Sequence, residues 1–114
     1  MAEANLYLKF QTCQQAPLRL DYALDGFFGE ESAPAQKQAY GDYIRMRIRP
    51  AVQRLMDREE TEKLSVLEAQ GWLQASVLDD CLDYAIRKKQ VQSFIWLLHC
   101  KARLFGFRDR DLSL

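Results

Sequence analysis

A weak self-similarity with a period of about 30 residues is the feature that most constrains how this chain can fold. Apolar residues recur at this interval in five pairs of positions, namely 52/82, 55/85, 56/86, 64/94 and 67/97. The segment Leu20–Leu24 is an earlier and weaker copy of Leu82–Ile86. A period of this length is typical of stacked helical hairpins, because one hairpin alone is too small to bury its apolar face.

The spacing of apolar residues within each copy predicts an all-α fold of about five to six helices, stacked as antiparallel hairpins. Pro17 and Gly29 mark the first clear helix, since proline suits a helix start and glycine a helix end. Pro50 predicts a kink or a new helix. Residues 6–10 alternate between apolar and other side chains, which fits either a short strand or an extended N-terminal arm.

The last 40 residues carry the clearest helical pattern, spread over two helices. The first helix has one apolar stripe, formed by Leu78, Cys81, Leu82, Ala85 and Ile86. The second has apolar residues on two sides, with Phe94, Ile95, Leu98 and Ala102 on one and Trp96 and Leu97 on another, which predicts burial on more than one side. We expect a single all-α domain over residues 1–114. Its repeat-like units are predicted at about 17–49, 50–79 and 80–107, followed by a mobile tail at 108–114.

Composition excludes several classes of protein. Hydrophobic residues make up 48% of the chain and charged residues 28%, with zero net charge, as in ordinary globular proteins. No apolar run approaches the length of a membrane span, and the N-terminus lacks the pattern of a signal peptide. Three irregularly spaced cysteines argue against a disulfide framework. A cytoplasmic protein without membrane contact is the expectation.

The segment Leu82–Val91 followed by Ile95–Leu98 resembles the two helices of an ankyrin-type repeat, and Leu67–Gly71 resembles the end of that family's outer helix. The resemblance covers roughly residues 50–105. The Thr-Pro-Leu-His element that opens ankyrin repeats is absent. The chain therefore resembles degenerate ankyrin-like or HEAT-like hairpin repeats, as occur in bacterial proteins of unknown function. An irregular α-bundle with coincidental spacing is the alternative.

No arrangement of residues predicts catalysis, and we expect a protein that is not an enzyme and needs no cofactor or metal. His99 is the single histidine, and it lies mid-helix without a nucleophile turn. His99 and Cys100 are adjacent on a helix and point apart, which argues against a shared metal ion with Cys81. No glycine-rich phosphate loop occurs.

Aromatic and basic side chains are the candidates for binding, since such residues dominate binding hot spots. We expect a small protein-interaction module whose partner is another protein, with self-association as a further option. The candidate residues are Tyr40, Tyr43, Arg47, Arg54, Arg58, Trp72 and Trp96. The alternative is nucleic-acid binding by the basic segment Arg45–Arg58, in which Arg47, Arg54 and Arg58 would share one face of a continuous helix. Zero net charge disfavours that alternative.

Overall fold

The computed structural model describes residues 2–30 and 32–106, with side chains from residue 6 onward. This part of the chain contains seven α-helices and no strand. They are α1 (Ala2–Thr12), α2 (Ala16–Phe28), α3 (Pro34–Met46), α4 (Ile48–Asp57), α5 (Thr61–Ala69), α6 (Ala75–Lys88) and α7 (Val91–Phe105). The all-α prediction is confirmed, whereas five to six helices is too few. The tail predicted to be mobile, 108–114, lies outside the described residues.

The N-terminal segment is a helix, so the strand or extended arm predicted at residues 6–10 is wrong. A lone strand would leave backbone N–H and C=O groups without partners, whereas a helix satisfies them internally. Tyr7 and Phe10, three positions apart on α1, both make edge-to-face contacts with Tyr40, at 5.7 and 4.9 Å between ring centroids. Leu6 and Phe10, four positions apart, share a face of α1, whereas Leu8 is 58% exposed, so the alternation at residues 6–10 does not mark a strand.

The chain divides into two compact units, residues 1–51 (unit 1) and 52–114 (unit 2), with the boundary inside α4. The single domain and the three repeat-like units remain predictions. Among the described residues, no helix is both long and apolar enough to cross a bilayer.

The predicted interruption near Pro50 occurs three residues earlier, at Arg47. Arg47 has φ −124° and ψ 45°, and its N–H donates to the carbonyl groups of Tyr43 and Ile44. Pro50 is the third residue of α4, where a backbone N–H has no acceptor within the helix. The helix therefore restarts before the proline and accommodates it in its first turn.

The core of unit 1 is built where α2 packs against α1 and α3. Tyr40 on α3 is fully buried, and its ring lies directly against Gly26 on α2. A Cβ atom at position 26 would overlap that ring. The absence of a side chain at Gly26 is thus what allows the two helices to approach with a tyrosine between them.

The core of unit 2 includes the packed pair α6 and α7. Four of the five residues in the predicted α6 stripe are buried, but Ile86 is 60% exposed. On α7 the buried residues are Ser93, Leu97 and Cys100, as predicted for Leu97. The other predicted side is not buried, because Ile95 is 47% exposed and Phe94, Leu98 and Ala102 are only half-buried. Apolar residues surround most of α7, and for that reason their spacing does not reveal which side faces the core.

Two turns of unit 2, 30 residues apart, have the same backbone geometry. Glu59 and Lys89 both adopt the left-handed conformation, with φ 57° and 58°. The following residues, Glu60 and Gln90, each donate an N–H to the carbonyl five positions earlier, at 2.9 Å in both cases. This is the hydrogen-bond pattern of a Schellman motif, formed here with side chains in place of the usual glycine. The 30-residue interval is therefore present in local backbone structure, while hairpin stacking remains a prediction.

Candidate functional site

The residues selected from the sequence are distributed over both units. Unit 1 holds Tyr40, Tyr43 and Arg47, and unit 2 holds Arg54, Arg58, Trp72 and Trp96. Tyr43 and Arg47 meet at a common cavity. They lie on the wall of a cleft of about 620 Å³ in unit 1, whose other lining residues are Gln11, Thr12, Cys13, Gln14, Ala16 and Arg19. The described lining contains no carboxylate.

Arg19 is held in a fixed position in this cleft. Its guanidinium carbon lies 4.9 Å from the ring centroid of Phe10 and 4.8 Å from that of Tyr43. Its Nε donates a 3.0 Å hydrogen bond to the carbonyl of Phe10. Stacking on two aromatic rings suits the planar guanidinium, which is weakly hydrated, and leaves its terminal NH₂ groups as further donors.

Arg47 places a second guanidinium near the same tyrosine, 5.1 Å from the Tyr43 ring centroid. Arg47 caps α3 four positions after Tyr43, and its N–H donates to the Tyr43 carbonyl at 3.2 Å. The Tyr43 hydroxyl donates a long, 3.5 Å hydrogen bond to the carbonyl of Ala16, at the start of α2. Tyr43 is therefore buried and fixed, whereas Arg47 is exposed.

The electrostatic character of the cleft follows from these two arginines. Neither Arg19 nor Arg47 forms an ion pair with a carboxylate among the described residues. Two guanidinium groups beside one ring, without a neutralising acid, provide donors in the geometry that carboxylate or phosphate oxygens accept. We call the arrangement of Arg19, Tyr43 and Arg47 the arginine cleft.

Arg19 and Phe10 were not selected from the sequence. Their partners lie on other helices, and Arg19 is separated from Phe10 by nine positions and from Tyr43 by 24. Only the packing of α1, α2 and α3 brings them together, so no local spacing predicts the contact. An arginine on a predicted helix with an apolar stripe is otherwise an ordinary surface residue.

Tyr40 lies in the core and not at the cleft. Its ring is fully buried against Gly26, Tyr7 and Phe10. The side chain therefore supports the packing of unit 1 and offers no surface to a partner.

The basic stripe predicted for Arg47, Arg54 and Arg58 requires a continuous helix, and that condition is not met. Helix α3 ends at Met46, α4 runs from Ile48 to Asp57, and Arg58 follows it. Arg58 lies 3.9 Å from the carboxylate of Glu60. Arg54 is exposed on α4, while Trp72 and Trp96 are half-buried in unit 2.

A polar cluster in unit 2 joins the two equivalent turns. The carboxylate of Asp57 accepts hydrogen bonds from the Tyr84 hydroxyl at 2.9 and 3.0 Å and from Gln90 Nε2 at 2.9 Å. Burial raises the pKa of Tyr84, and the hydrogen bond and negative charge of Asp57 raise it further. The phenol therefore stays protonated as a donor that links α6 to the end of α4.

A second cluster surrounds Cys100. Glu68 accepts two hydrogen bonds from Arg103 Nη1, at 2.6 and 2.9 Å, and one from the Cys100 thiol at 3.5 Å. Burial and the charge of Glu68 raise the pKa of Cys100 to about 12, against the opposing effect of Arg103. A thiol that remains protonated is a poor nucleophile and metal ligand. His99 is exposed, and the described residues contain no cluster able to hold a metal ion.

Comparison of the chain with models of known protein families, with curated proteins and with solved structures finds no match.

Proposed function

We propose that this protein is a small non-catalytic interaction module that binds an acidic segment of a partner protein in the arginine cleft. The observation that carries the proposal is the pair of guanidinium groups beside Tyr43 with no described carboxylate to neutralise them. Arginine and tyrosine are also among the residues that contribute most to protein-binding hot spots.

Preorganisation supports a binding role for Arg19. Its contacts with Phe10 and Tyr43 already restrict the side chain, so less conformational entropy is lost when it binds an anion. Exposed Arg47 would close on the same anion from the other helix. The described lining of the cleft supplies no histidine or carboxylate to act as a general base, which favours binding over catalysis.

Nucleic-acid binding by Arg45–Arg58 is the alternative. It loses support from the helix break at Arg47, because the three arginines do not continue along one helix. It also loses support from Arg58, whose charge lies beside Glu60.

The test is a titration of the isotopically labelled chain with an unstructured glutamate-rich peptide, followed by amide chemical shifts. The control peptide has glutamine at each glutamate position. We expect the acidic peptide to shift signals from residues around Arg19 and Tyr43, with an affinity that falls as salt rises. Arg47→Gln should weaken binding about tenfold, the loss expected for one charge-assisted contact.

Arg45→Gln is the matched control, because Arg45 is also exposed and lies two positions before Arg47 on α3. The proposal predicts that this variant binds the acidic peptide as the parent chain does. Equal losses in both variants, or equal binding of the two peptides, would contradict a defined cleft. Binding of a short DNA duplex, weakened by Arg45→Gln and Arg54→Gln alike, would favour the nucleic-acid alternative instead.

A further inference from the structure

The turn between α6 and α7 carries an exposed apolar surface. Ile86 lies in the last turn of α6, Val91 begins α7, and Ile95 follows one helical turn later. Their exposed fractions are 60%, 66% and 47%. Val91 and Ile95 share a face of α7 because they are four positions apart. We call residues 86–91 together with Ile95 the α6–α7 corner.

The exposure of Ile86 is unusual in comparison with its counterpart in the preceding turn. Met56 stands three positions before Glu59, as Ile86 stands three positions before Lys89, and the two turns share one backbone geometry. Met56 is fully buried, whereas Ile86 is mostly exposed. The same local structure therefore occurs once with its apolar residue covered and once uncovered. Three large aliphatic side chains are thus exposed within ten residues of sequence, and exposed apolar residues that lie together are a feature of interaction surfaces.

The charges of the corner indicate what would cover it. Arg87, Lys88 and Lys89 are all exposed, and none forms an ion pair with a described carboxylate. Elsewhere in unit 2, by contrast, Lys63 pairs with Glu60, Lys101 with Asp79, and Arg103 with Glu68. The dipole of α6 favours cations in its last turn, but Lys89 lies beyond the helix. Lys88 Nζ lies 5.8 Å from the ring centroid of Tyr84, and all three cations lie within the segment that separates Ile86 from Val91.

A cleft of about 430 Å³ adjoins the corner, and Lys88, Lys89 and Val91 form part of its wall. The carboxylates of Asp57 and Glu59 are also on this wall. Asp57 is hydrogen bonded to Tyr84 and Gln90, and neither carboxylate forms an ion pair with Lys88 or Lys89 among the described residues.

We propose that the α6–α7 corner docks an amphipathic helix of another protein, whose apolar face covers Ile86, Val91 and Ile95 and whose flanking carboxylates bind Arg87, Lys88 and Lys89. Val91 and Ile95, one helical turn apart on α7, fit the side-chain pattern that a docked helix recognises, and Val91 also lines the cleft. Complementary charge sets its orientation and speeds association. The proposal concerns unit 2 alone and does not depend on the arginine cleft in unit 1.

The experiment uses the full chain and two synthetic helical peptides of about five turns. Both peptides carry the same leucine stripe, which is flanked by glutamate in one and by lysine in the other. Amide chemical shifts locate binding, and fluorescence anisotropy of labelled peptide measures affinity. We expect the glutamate peptide to perturb residues 84–96 and the lysine peptide to leave them unchanged. Ile86→Ser should weaken binding at least about tenfold, as expected for a central interface residue.

Leu8→Ser is the matched control, since Leu8 is similarly exposed, at 58%, but lies on α1 in unit 1. Its binding of the glutamate peptide should equal that of the parent chain. Because Ile86, like Leu8, is exposed, both variants should keep the parent far-UV circular dichroism spectrum.

Three results would overturn the proposal. The first is equal binding of both peptides at the corner, or no binding at it by either. The second is that neither peptide binds, while the chain binds vesicles of phosphatidylcholine and phosphatidylserine and Ile86→Ser abolishes that vesicle binding. This result would identify a lipid surface as the occupant. The third is a dimer in sedimentation equilibrium that Ile86→Ser dissociates, which would identify a second copy of this chain.

Discussion

Replacing Gly26 with alanine should destabilise unit 1, although alanine is the better helix former. A glycine-to-alanine change in an unobstructed helix stabilises it by about 1 kcal/mol. At Gly26, however, the new Cβ atom would overlap the ring of Tyr40. That ring cannot swing away freely, because it is fully buried and held edge-on by Tyr7 and Phe10.

Forcing extra volume into a packed core typically costs about 1–3 kcal/mol. Since the overlap involves several ring atoms, we expect a cost near the upper end of that range. Subtracting the gain in helix propensity leaves a net destabilisation of about 1–2 kcal/mol. A change of this size lowers the melting temperature of a domain by roughly 3–10 °C.

The assay is urea denaturation followed by amide signals of unit 1, with tryptophan fluorescence as an internal reference. Both tryptophans, Trp72 and Trp96, belong to unit 2, so their fluorescence follows that unit. Gly26→Ala is then compared in two backgrounds, the parent chain and Tyr40→Val, in an osmolyte that keeps destabilised variants folded. Without the ring, Gly26→Ala should become neutral or stabilising by up to about 1 kcal/mol.

If Gly26 and Tyr40 approach closely, the effect of Gly26→Ala on stability must change from destabilising in the parent chain to neutral or stabilising in the Tyr40→Val background. If Gly26→Ala stabilised the parent chain, the contact between α2 and α3 would be looser than described. If it destabilised both backgrounds equally, the obstacle would be something other than the Tyr40 ring.

Three further predictions concern unit 2. Lys89→Gly should stabilise the folded chain by roughly 0.5–1 kcal/mol in thermal denaturation, because glycine adopts the left-handed conformation without strain. Lys88→Gly, within α6, should destabilise it by about 1 kcal/mol. The opposite order would refute the turn geometry. Leu97→Ala should lower the free energy of unfolding by about 2–5 kcal/mol, because Leu97 is buried, and Ile95→Ala should lower it by less than about 1 kcal/mol. Equal losses would mean that the buried face of α7 is misassigned. The pKa of the Cys100 thiol is raised from 9.0 to about 12 in the folded state, so between these pH values the unfolded chain loses the thiol proton while the folded chain keeps it. The free energy of unfolding, measured by urea titration, should therefore fall as pH rises from 9.0 to about 12. Cys100→Ala should lack this dependence.

The bounds of α2 followed closely from the sequence, because proline and glycine fix local backbone choices whatever the tertiary context. Pro17 and Gly29 bracket α2 almost as predicted. The side of a helix that is buried was less predictable. In α7 nearly every side of the helix carries apolar residues, so local periodicity assigned both Ile95 and Leu97 to buried sides, and only Leu97 is buried.

The candidate site was predictable only in part, for a different reason. Arg47 caps the helix that carries Tyr43 and lies only four positions after it, so the sequence already places the two close together. Arg19 reaches Tyr43 across 24 positions through helix packing, which leaves no trace in local sequence. The strand predicted at residues 6–10 failed because three alternating apolar residues are too few to establish a period of two, and one of them, Leu8, is exposed on α1.

The placement of the three cysteines gives the chain a natural spectroscopic probe. Cys81 and Cys100 are buried, whereas Cys13 is partly accessible and lines the arginine cleft. A thiol-reactive fluorophore should therefore attach at one site in the native chain, without any engineered cysteine. Its emission would report directly on the polarity and occupancy of the cleft, so ligands for it can be screened optically.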